Sequence, residues 1–249
     1  MFVPFFSPYP LLMATGVMSF FVFFLSSLTI NHVSFVFLLL LVVFSGWAYD
    51  LFKERLIGSF IETNITTFFY GFVLMIVSEI LLFISFFWAF FKFLNTINLP
   101  YMIEPAGLPL LKTFLLLSSG VSVTLYHSFL FQGNGGLSYL IYTLFLGVFF
   151  ELCQINEYRK SVLSLSSFTY GTTFFMLTGL HGFHVFVGIV CLSVLLYFTL
   201  FHYINSLSLI RSECLIWYWH FVDIVWIFVY FFLYIYICFF GYLKFLLLI

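Results

Sequence analysis

The sequence has very little charge. Of its 249 residues, eight are Lys or Arg and nine are Asp or Glu, so charged residues make up only 7% of the chain. A soluble globular domain carries about 25% charged residues. The few basic residues are also scattered, so they form no basic stripe that could bind a nucleic acid. These shortages exclude an ordinary soluble domain and a nucleic-acid-binding protein.

The first 49 residues contain no Lys, Arg, Asp or Glu at all. A mitochondrial presequence is rich in Arg, and a secretory signal begins with a basic region. We therefore expect a chain that is inserted where it is made, without a cleaved targeting segment. The four cysteines form no C-x-x-C pair and indicate no disulfide framework. The 41 phenylalanines favour an AT-rich genome such as that of an organelle.

Hydrophobic residues make up 64% of the chain, and they form seven long apolar runs. A membrane span needs about 20 apolar residues. The spans are predicted at residues 11–30, 33–49, 64–91, 113–131, 137–155, about 168–201 and 215–242. Residues 95–112, with three prolines, and 133–136 are predicted loops. The sequence thus predicts an all-α, multi-pass integral membrane protein. Its basic residues divide five to three between the two sides, which weakly favours an outside N-terminus.

Glu79 lies near the middle of the third predicted span. An ionisable group inside a span is costly and needs a reason. Either it is a proton-binding or regulatory carboxyl, or it is a protonated or paired carboxyl that holds helices together. Burial in hydrocarbon favours its protonated form, and no Lys, Arg or His lies within two helical turns of it in the sequence. We predict a protonated carboxyl with a structural or regulatory role.

Three further polar residues share one face of the fifth predicted span. Glu151, Gln154 and Glu157 recur every three residues, and residues so spaced lie on one side of a helix. A proton path and a packed polar seam both fit this pattern. We favour the packed seam, because the residues lie close to the end of the span.

Histidines provide the other candidate sites. His181 and His184 form an H-x-x-H pair one helical turn apart, which suits a metal ion. Together with His127 and His220, they also suit axial ligation of haem. We favour hydrogen bonding between helices, since two local ligands make a weak metal site. Asp223 lies one turn after His220, so the two are predicted to form a structural polar pair.

Several stretches, in chain order, resemble signature segments of the cytochrome c oxidase subunit III family. They span nearly the whole chain: S-P-Y-P at 7–10, S-E at 78–79 with F-F-W-A-F at 86–90, P-L-L at 109–111 with S-G-V-S at 119–122, Y-G at 170–171 through T-G-L-H-G-F-H-V at 178–185, and W-Y-W-H-F-V-D-I-V-W at 217–226. One departure is Glu151, which falls where the family usually has an uncharged residue.

The resemblance implies a core subunit of the terminal respiratory oxidase. That complex passes electrons from cytochrome c to O2 and pumps protons across the inner mitochondrial membrane. Its haems and coppers belong to subunits I and II, so this chain is expected to be metal-free and without a catalytic centre. Its expected partners are subunits I and II, accessory subunits and bound phospholipids. Glu79 matches the membrane carboxyl of the family's third helix.

The resemblance also implies how the helices are grouped. Helices one and two, within residues 1–60, are expected to form one bundle, and helices three to seven, within 61–249, a second. A lipid-filled cleft would separate them, with Lys53 and Arg55 at its mouth as candidates for binding a lipid phosphate. Family topology puts the N-terminus in the matrix. We adopt that orientation over the weak charge count.

Two other functions remain open on the residues alone. One is an independent proton-coupled transporter using Glu79, Glu151 and Asp223. The other is a haem-binding membrane cytochrome using the histidines named above. A transporter typically shows internal repeats or broken helices in matching halves, and we find neither in the sequence.

Overall fold

A computed structural model describes residues 7–25, 30–56, 65–93, 104–132, 136–165, 168–200 and 206–239. These residues form seven α-helices, the last of which continues as a π-helical segment, and they include no β-strand. The chain divides into two compact units, residues 1–65 and 66–249. The predicted all-α fold is confirmed.

The helices run in chain order with short connections. Their bounds are α1 Tyr9–Leu25, α2 Ile30–Leu56, α3 Ile65–Phe93, α4 Leu108–Phe131, α5 Leu137–Lys160, α6 Phe168–Leu200 and α7 Ser206–Tyr230, followed by the π-helical segment Phe231–Tyr236. In the described part of the chain, α3 to α7 are long and apolar enough to cross a membrane. Helix α6 has 33 residues, and at 1.5 Å per residue it extends beyond the ~30 Å hydrocarbon core.

Two predicted boundaries were wrong. Helix α4 begins at Leu108 rather than at Thr113, because Pro109 opens the helix instead of extending the loop. Proline is well suited to the first turn, where its missing N–H would have no helical partner. As a result, Lys112 lies inside a membrane helix. Helix α5 continues past Ile155 to Lys160, so the end of the polar face is helical too.

The hairpin of α1 and α2 has glycines at close approaches. A Cβ placed on Gly16 would lie 2.6 Å from Cδ2 of Leu40, and one placed on Gly46 would lie 2.8 Å from Cε1 of Tyr9. Real Cβ atoms essentially never show contacts this short. The absence of a side chain at these two positions therefore lets the helices approach closely.

In the second unit, α4 to α7 pack around a common core, whereas α3 joins them through side chains. Phe83 of α3 lies 6.3 Å from Phe221 between ring centroids, and Phe87 lies 5.4 Å from Phe232. Both pairs are edge-to-face, a favoured geometry for aromatic rings. Most of the remaining α3 surface is exposed in the isolated chain.

Helix α5 is preceded by a glycine that its geometry requires. Gly136 has a φ of 54°, in the left-handed region that favours glycine, and a Cβ there would lie 2.9 Å from Cβ of Phe129. The rest of the predicted turn, residues 133–135, lies outside the described residues.

Candidate functional site: polar contacts inside the helix bundle

Glu79 is joined to a histidine on another helix. Its Oε2 atom lies 3.0 Å from Nε2 of His184, which places a polar contact between α3 and α6. The side chains of Glu79 and His184 are 30% and 9% exposed. Sequence reasoning found no partner for Glu79, because the two residues are 105 positions apart and only the packing of α3 against α6 brings them together.

The second nitrogen of His184 fixes the number of protons in this contact. Nδ1 lies 2.8 Å from the carbonyl oxygen of Leu180, and since a carbonyl only accepts, Nδ1 carries a hydrogen. A neutral His184 then offers a lone pair on Nε2, so Glu79 must be protonated to donate to it. The alternative is an imidazolium beside a carboxylate. In both cases, one proton lies between Glu79 and His184.

His181 has a different partner, although it is one turn from His184. Its Nε2 lies 3.2 Å from the carbonyl oxygen of Val222, so Nε2–H donates across to α7. Its ring packs against Phe150 at 5.5 Å and Trp226 at 5.0 Å between centroids. The H-x-x-H pair therefore binds two separate protein groups in the structure, as expected for hydrogen bonding between helices.

The predicted pair of His220 and Asp223 does not form a hydrogen bond. Nδ1 of His220 and Oδ2 of Asp223 are 3.9 Å apart. Asp223 is buried against Gly120, where an added Cβ would lie 2.7 Å from Oδ2. Within the described residues, neither carboxylate oxygen of Asp223 has a hydrogen-bond partner. Asp223 thus marks a close approach of α4 and α7.

A buried cluster around Lys112 was not predicted. Lys112 of α4 is completely buried, donates to Oε1 of Gln154 at 2.7 Å, and forms an ion pair with Oε2 of Glu157. Both partners belong to the polar face of α5. The sequence predicted that face as a packed polar seam, but Lys112 had been assigned to the preceding loop.

Three aromatic rings surround the ammonium group of Lys112. Nζ lies 4.6 Å from the ring centroid of Trp226, 5.6 Å from that of Tyr234 and 5.9 Å from that of Phe150. The negative face of an aromatic ring attracts a cation at such distances. Tyr234 comes from the π-helical segment, whose Leu233 carbonyl also accepts a hydrogen bond of 3.2 Å from a tyrosine of α6.

Glu151 lies on the same side of α5 as the cluster. Its carboxylate faces Gly182 of α6, where an added Cβ would lie 3.7 Å from Oε2. No described residue gives Oε1 of Glu151 a hydrogen-bond partner. The polar face of α5 is therefore directed into the bundle.

Trp219 is the central side chain of the α4–α7 core. It is fully buried, and its Nε1 donates a hydrogen bond of 3.0 Å to Oγ of Ser119. Added Cβ atoms at Gly147 of α5 and Gly188 of α6 would lie 2.7 and 2.9 Å from its ring. Both glycines thus make room for this one indole, which contacts three neighbouring helices.

An apolar groove of about 900 Å³ lies between α3 and α7. Its lining includes Ile80, Phe87, Trp88, His220 and Phe228. Such a surface suits hydrocarbon or another apolar helix.

The lipid candidates lie in the first unit. Lys53 is exposed on α2, and its Nζ lies 4.5 Å from the ring centroid of Tyr49. The side chain of Arg55 is outside the described part of the structure. Phosphate binding by these two residues therefore stays a prediction.

The fold and these contacts define a class: a multi-pass helical membrane protein whose interior polar groups mainly connect helices. Within the described ranges, no group of three or more His, Cys, Asp or Glu residues is placed to hold a metal ion.

Comparison with known proteins gives the family. The family model described as cytochrome c oxidase subunit III matches residues 2–238. The chain is 40% identical over 206 residues to cytochrome c oxidase subunit 3 of Pisaster ochraceus, an alignment that covers 77% of this chain and 79% of the relative. It is 43% identical over 173 residues to the protein of that name from Canis lupus, covering 65% of this chain and 66% of the relative. The chain belongs to the cytochrome c oxidase subunit III family.

The predicted family is therefore confirmed, and so is the prediction that the chain is a subunit of an oxidoreductase complex. The chain is a subunit of cytochrome c oxidase, an oxidoreductase complex of the respiratory chain. The family and the apolar helices together indicate a multi-pass protein of the inner membrane.

Proposed function

We propose that this chain is a metal-free core subunit of the terminal oxidase that stabilises the catalytic subunit. In this role, it supports electron transfer from cytochrome c to O2 and the coupled pumping of protons without carrying either reaction itself. Haem and copper would lie in subunits I and II. The chain would lie in the inner mitochondrial membrane with its N-terminus on the matrix side, bind phospholipid and contact accessory subunits.

The contact between Glu79 and His184 is the observation that carries the proposal. It connects α3, whose surface is mostly exposed in the isolated chain, to the packed α4–α7 bundle. Trp88 of α3 is 71% exposed and Leu74 is 68% exposed. A long apolar helix that the described residues hold by a polar contact and a few aromatic pairs offers a large surface to another membrane subunit or to lipid.

The interior of the bundle supports a structural role as well. His181 and His184 each use a ring nitrogen to contact another helix, and Lys112 is held by Gln154 and Glu157. Side chains bound in this way connect helices.

Removing this chain from the purified oxidase tests the proposal. We expect the depleted complex to keep its haem and copper content and its initial rate of O2 reduction, but to lose activity after fewer turnovers than a mock-treated complex. Adding the chain back should restore the lifetime. Loss of haem or copper in proportion to the chain removed would contradict the metal-free role. An unchanged lifetime would contradict the stabilising role.

The two alternative functions make different predictions for the isolated chain. A proton-coupled transporter using Glu79 should carry protons across the membrane of a liposome by itself, and a haem-binding cytochrome should show a Soret band. We expect neither, because Glu79, His181 and His184 already contact groups on other helices.

A further inference from the structure

We propose that the cluster around Lys112 is an internal water-binding site. Between α4, α5, α6 and α7, ordered water would accept hydrogen bonds from Lys112, Gln154 and Trp226 and donate to His181 and Glu151. The inference rests on hydrogen-bonding groups that the bundle buries and that the described protein atoms do not satisfy.

The ammonium group of Lys112 has one more donor than it has protein acceptors. A lysine carries three N–H donors. Gln154 Oε1 and Glu157 Oε2 accept two of them. Three aromatic rings lie 4.6–5.9 Å from Nζ between the nitrogen and the ring centroids, so the third N–H has ring faces or a water molecule to interact with.

Two neighbouring N–H donors also lack acceptors among the described protein atoms. Because only the amide oxygen of Gln154 can accept from Lys112, its Nε2 group must point elsewhere. It lies toward the hydroxyl of Tyr158, but it forms no hydrogen bond of normal geometry with a described residue. Nε1 of Trp226 likewise has no acceptor in the described part of the chain. The ring of Trp226 lies 4.6 Å from Nζ of Lys112, so its indole belongs to the same buried cluster.

Two acceptors near the same cluster also lack partners among the described residues. The Nε2–H group of His181 donates to a backbone carbonyl, which leaves Nδ1 with a lone pair, and no described residue donates to it. The His181 ring lies 5.0 Å from that of Trp226. Oε1 of Glu151, which lies one helical turn before Gln154 on the same face of α5, also lacks a donor among the described residues.

Water matches this set of groups better than any other ligand. A water molecule accepts two hydrogen bonds and donates two, and buried waters typically bind buried polar groups that lack protein partners. The cluster contains both N–H donors and lone pairs that lack partners among the described residues. An anion would be repelled by Glu151 and Glu157, and no metal-binding group of three ligands occurs within the described ranges. Leaving such groups unpaired in the bundle would be costly.

Radiolytic footprinting of the intact oxidase tests the site. A short X-ray pulse converts bound water to hydroxyl radical where it lies, and that radical oxidises the side chains it touches even if bulk solvent cannot reach them. Helix α7 provides a matched pair of buried indoles: Trp226, beside the proposed water, and Trp219, whose Nε1 is bound by Ser119.

We expect mass spectrometry to find Trp226 oxidised in the wild-type complex while Trp219 stays at background. Equal labelling of the two residues, whether both are oxidised or both are silent, would overturn the proposal. This comparison needs no variant and is independent of how the subunit affects oxidase lifetime.

A variant then locates the water. Gln154→Leu removes the amide that borders the site, and we expect Trp226 oxidation to fall toward the level of Trp219. Ser122→Ala is the control, because Ser122 bonds Thr143 at 2.7 Å in another buried polar contact between α4 and α5. Trp226 labelling that is unchanged in an assembled Gln154→Leu complex would refute the role of Gln154. If that variant does not assemble, the wild-type comparison decides.

Discussion

Lys112 of α4 and Glu157 of α5 form an ion pair inside the bundle, with side chains that are 0% and 7% exposed. Removing two charges from water is costly, and their attraction repays this cost only with good geometry and additional hydrogen bonds. Here Gln154 accepts a second hydrogen bond from the ammonium group, and three aromatic rings surround it. The pair thus joins two helices through a contact that depends on both partners.

Removing one partner of this pair should be far more damaging than removing both. Lys112→Met leaves a carboxylate buried without its cation, and a lone buried charge typically costs about 3–5 kcal/mol of stability. The effect is measured by thermal unfolding of the purified complex, monitored through the loss of this subunit's helical signal. The double variant Lys112→Met with Glu157→Leu should recover a large part of the loss. Additive effects of the two single substitutions would show that the pair contributes no coupling.

The sequence predicted one half of this contact. The spacing of Glu151, Gln154 and Glu157 placed them on one helix face, and the structure directs that face into the bundle. Lys112 was missed because a proline-rich stretch was interpreted as a loop up to its last residue. Pro109 instead begins α4, which moves Lys112 by a full turn into the helix and into the membrane.

The position of Glu79 was predicted in the same way, whereas its partner was not. Long apolar runs define where helices form, so the number of helices and the depth of Glu79 follow from the sequence alone. Which residues meet across two helices depends on their rotation and packing, and these depend on side chains such as Trp219 and the glycines that face it. The π-helical segment that places Tyr234 beside Lys112 also has no pattern of its own in the sequence.

The glycines around Trp219 give a second prediction. The methyl group added by Gly147→Ala would lie 2.7 Å from the indole of Trp219. Overpacking of this kind typically costs about 1–3 kcal/mol of stability. Gly71→Ala on α3 is the matched control, since an added Cβ there meets no atom within 4 Å, and alanine favours the helix. Unfolding temperatures should fall for Gly147→Ala and not for Gly71→Ala. Equal changes would show that Trp219 does not fill the space as tightly as described.

Lipid retention tests the basic residues of α2. If Lys53 and Arg55 bind a lipid phosphate, the double variant Lys53→Ala, Arg55→Ala should keep less phospholipid in native mass spectrometry of the complex, because a cation near the membrane surface attracts anionic headgroups. Lys160→Ala, at the end of α5, serves as the control for loss of one exposed charge. An unchanged amount of bound lipid in the double variant would contradict phosphate binding by Lys53 and Arg55.

The isolated chain is expected to bind no haem, copper or zinc in stoichiometric amounts. His181 and His184 would each have to give up a contact with another helix to ligate a metal. Elemental analysis and an absorption spectrum of the purified chain measure this directly. One tightly bound metal ion or a Soret band per chain would contradict the metal-free assignment.

Glu79→Gln distinguishes a structural carboxyl from a proton-carrying one. In the neutral form of the contact, Glu79 donates a hydrogen bond to Nε2 of His184, and the amide of glutamine can donate in the same place. Glu79→Leu has no donor and leaves Nε2 unpaired. We therefore expect the glutamine variant to reduce O2 and pump protons with the wild-type ratio of protons to electrons. The leucine variant should lose activity after fewer turnovers, because α3 is less firmly held.

The measurement is the proton-to-electron ratio of the reconstituted oxidase, together with its rate over successive turnovers. Glu104→Gln is the control, since Glu104 is exposed and lies outside the helices. A glutamine cannot take up and release a proton as a carboxyl does. Loss of pumping in an assembled Glu79→Gln oxidase, with the Glu104→Gln oxidase unaffected, would therefore show that Glu79 carries protons and that its contact with His184 is part of their path.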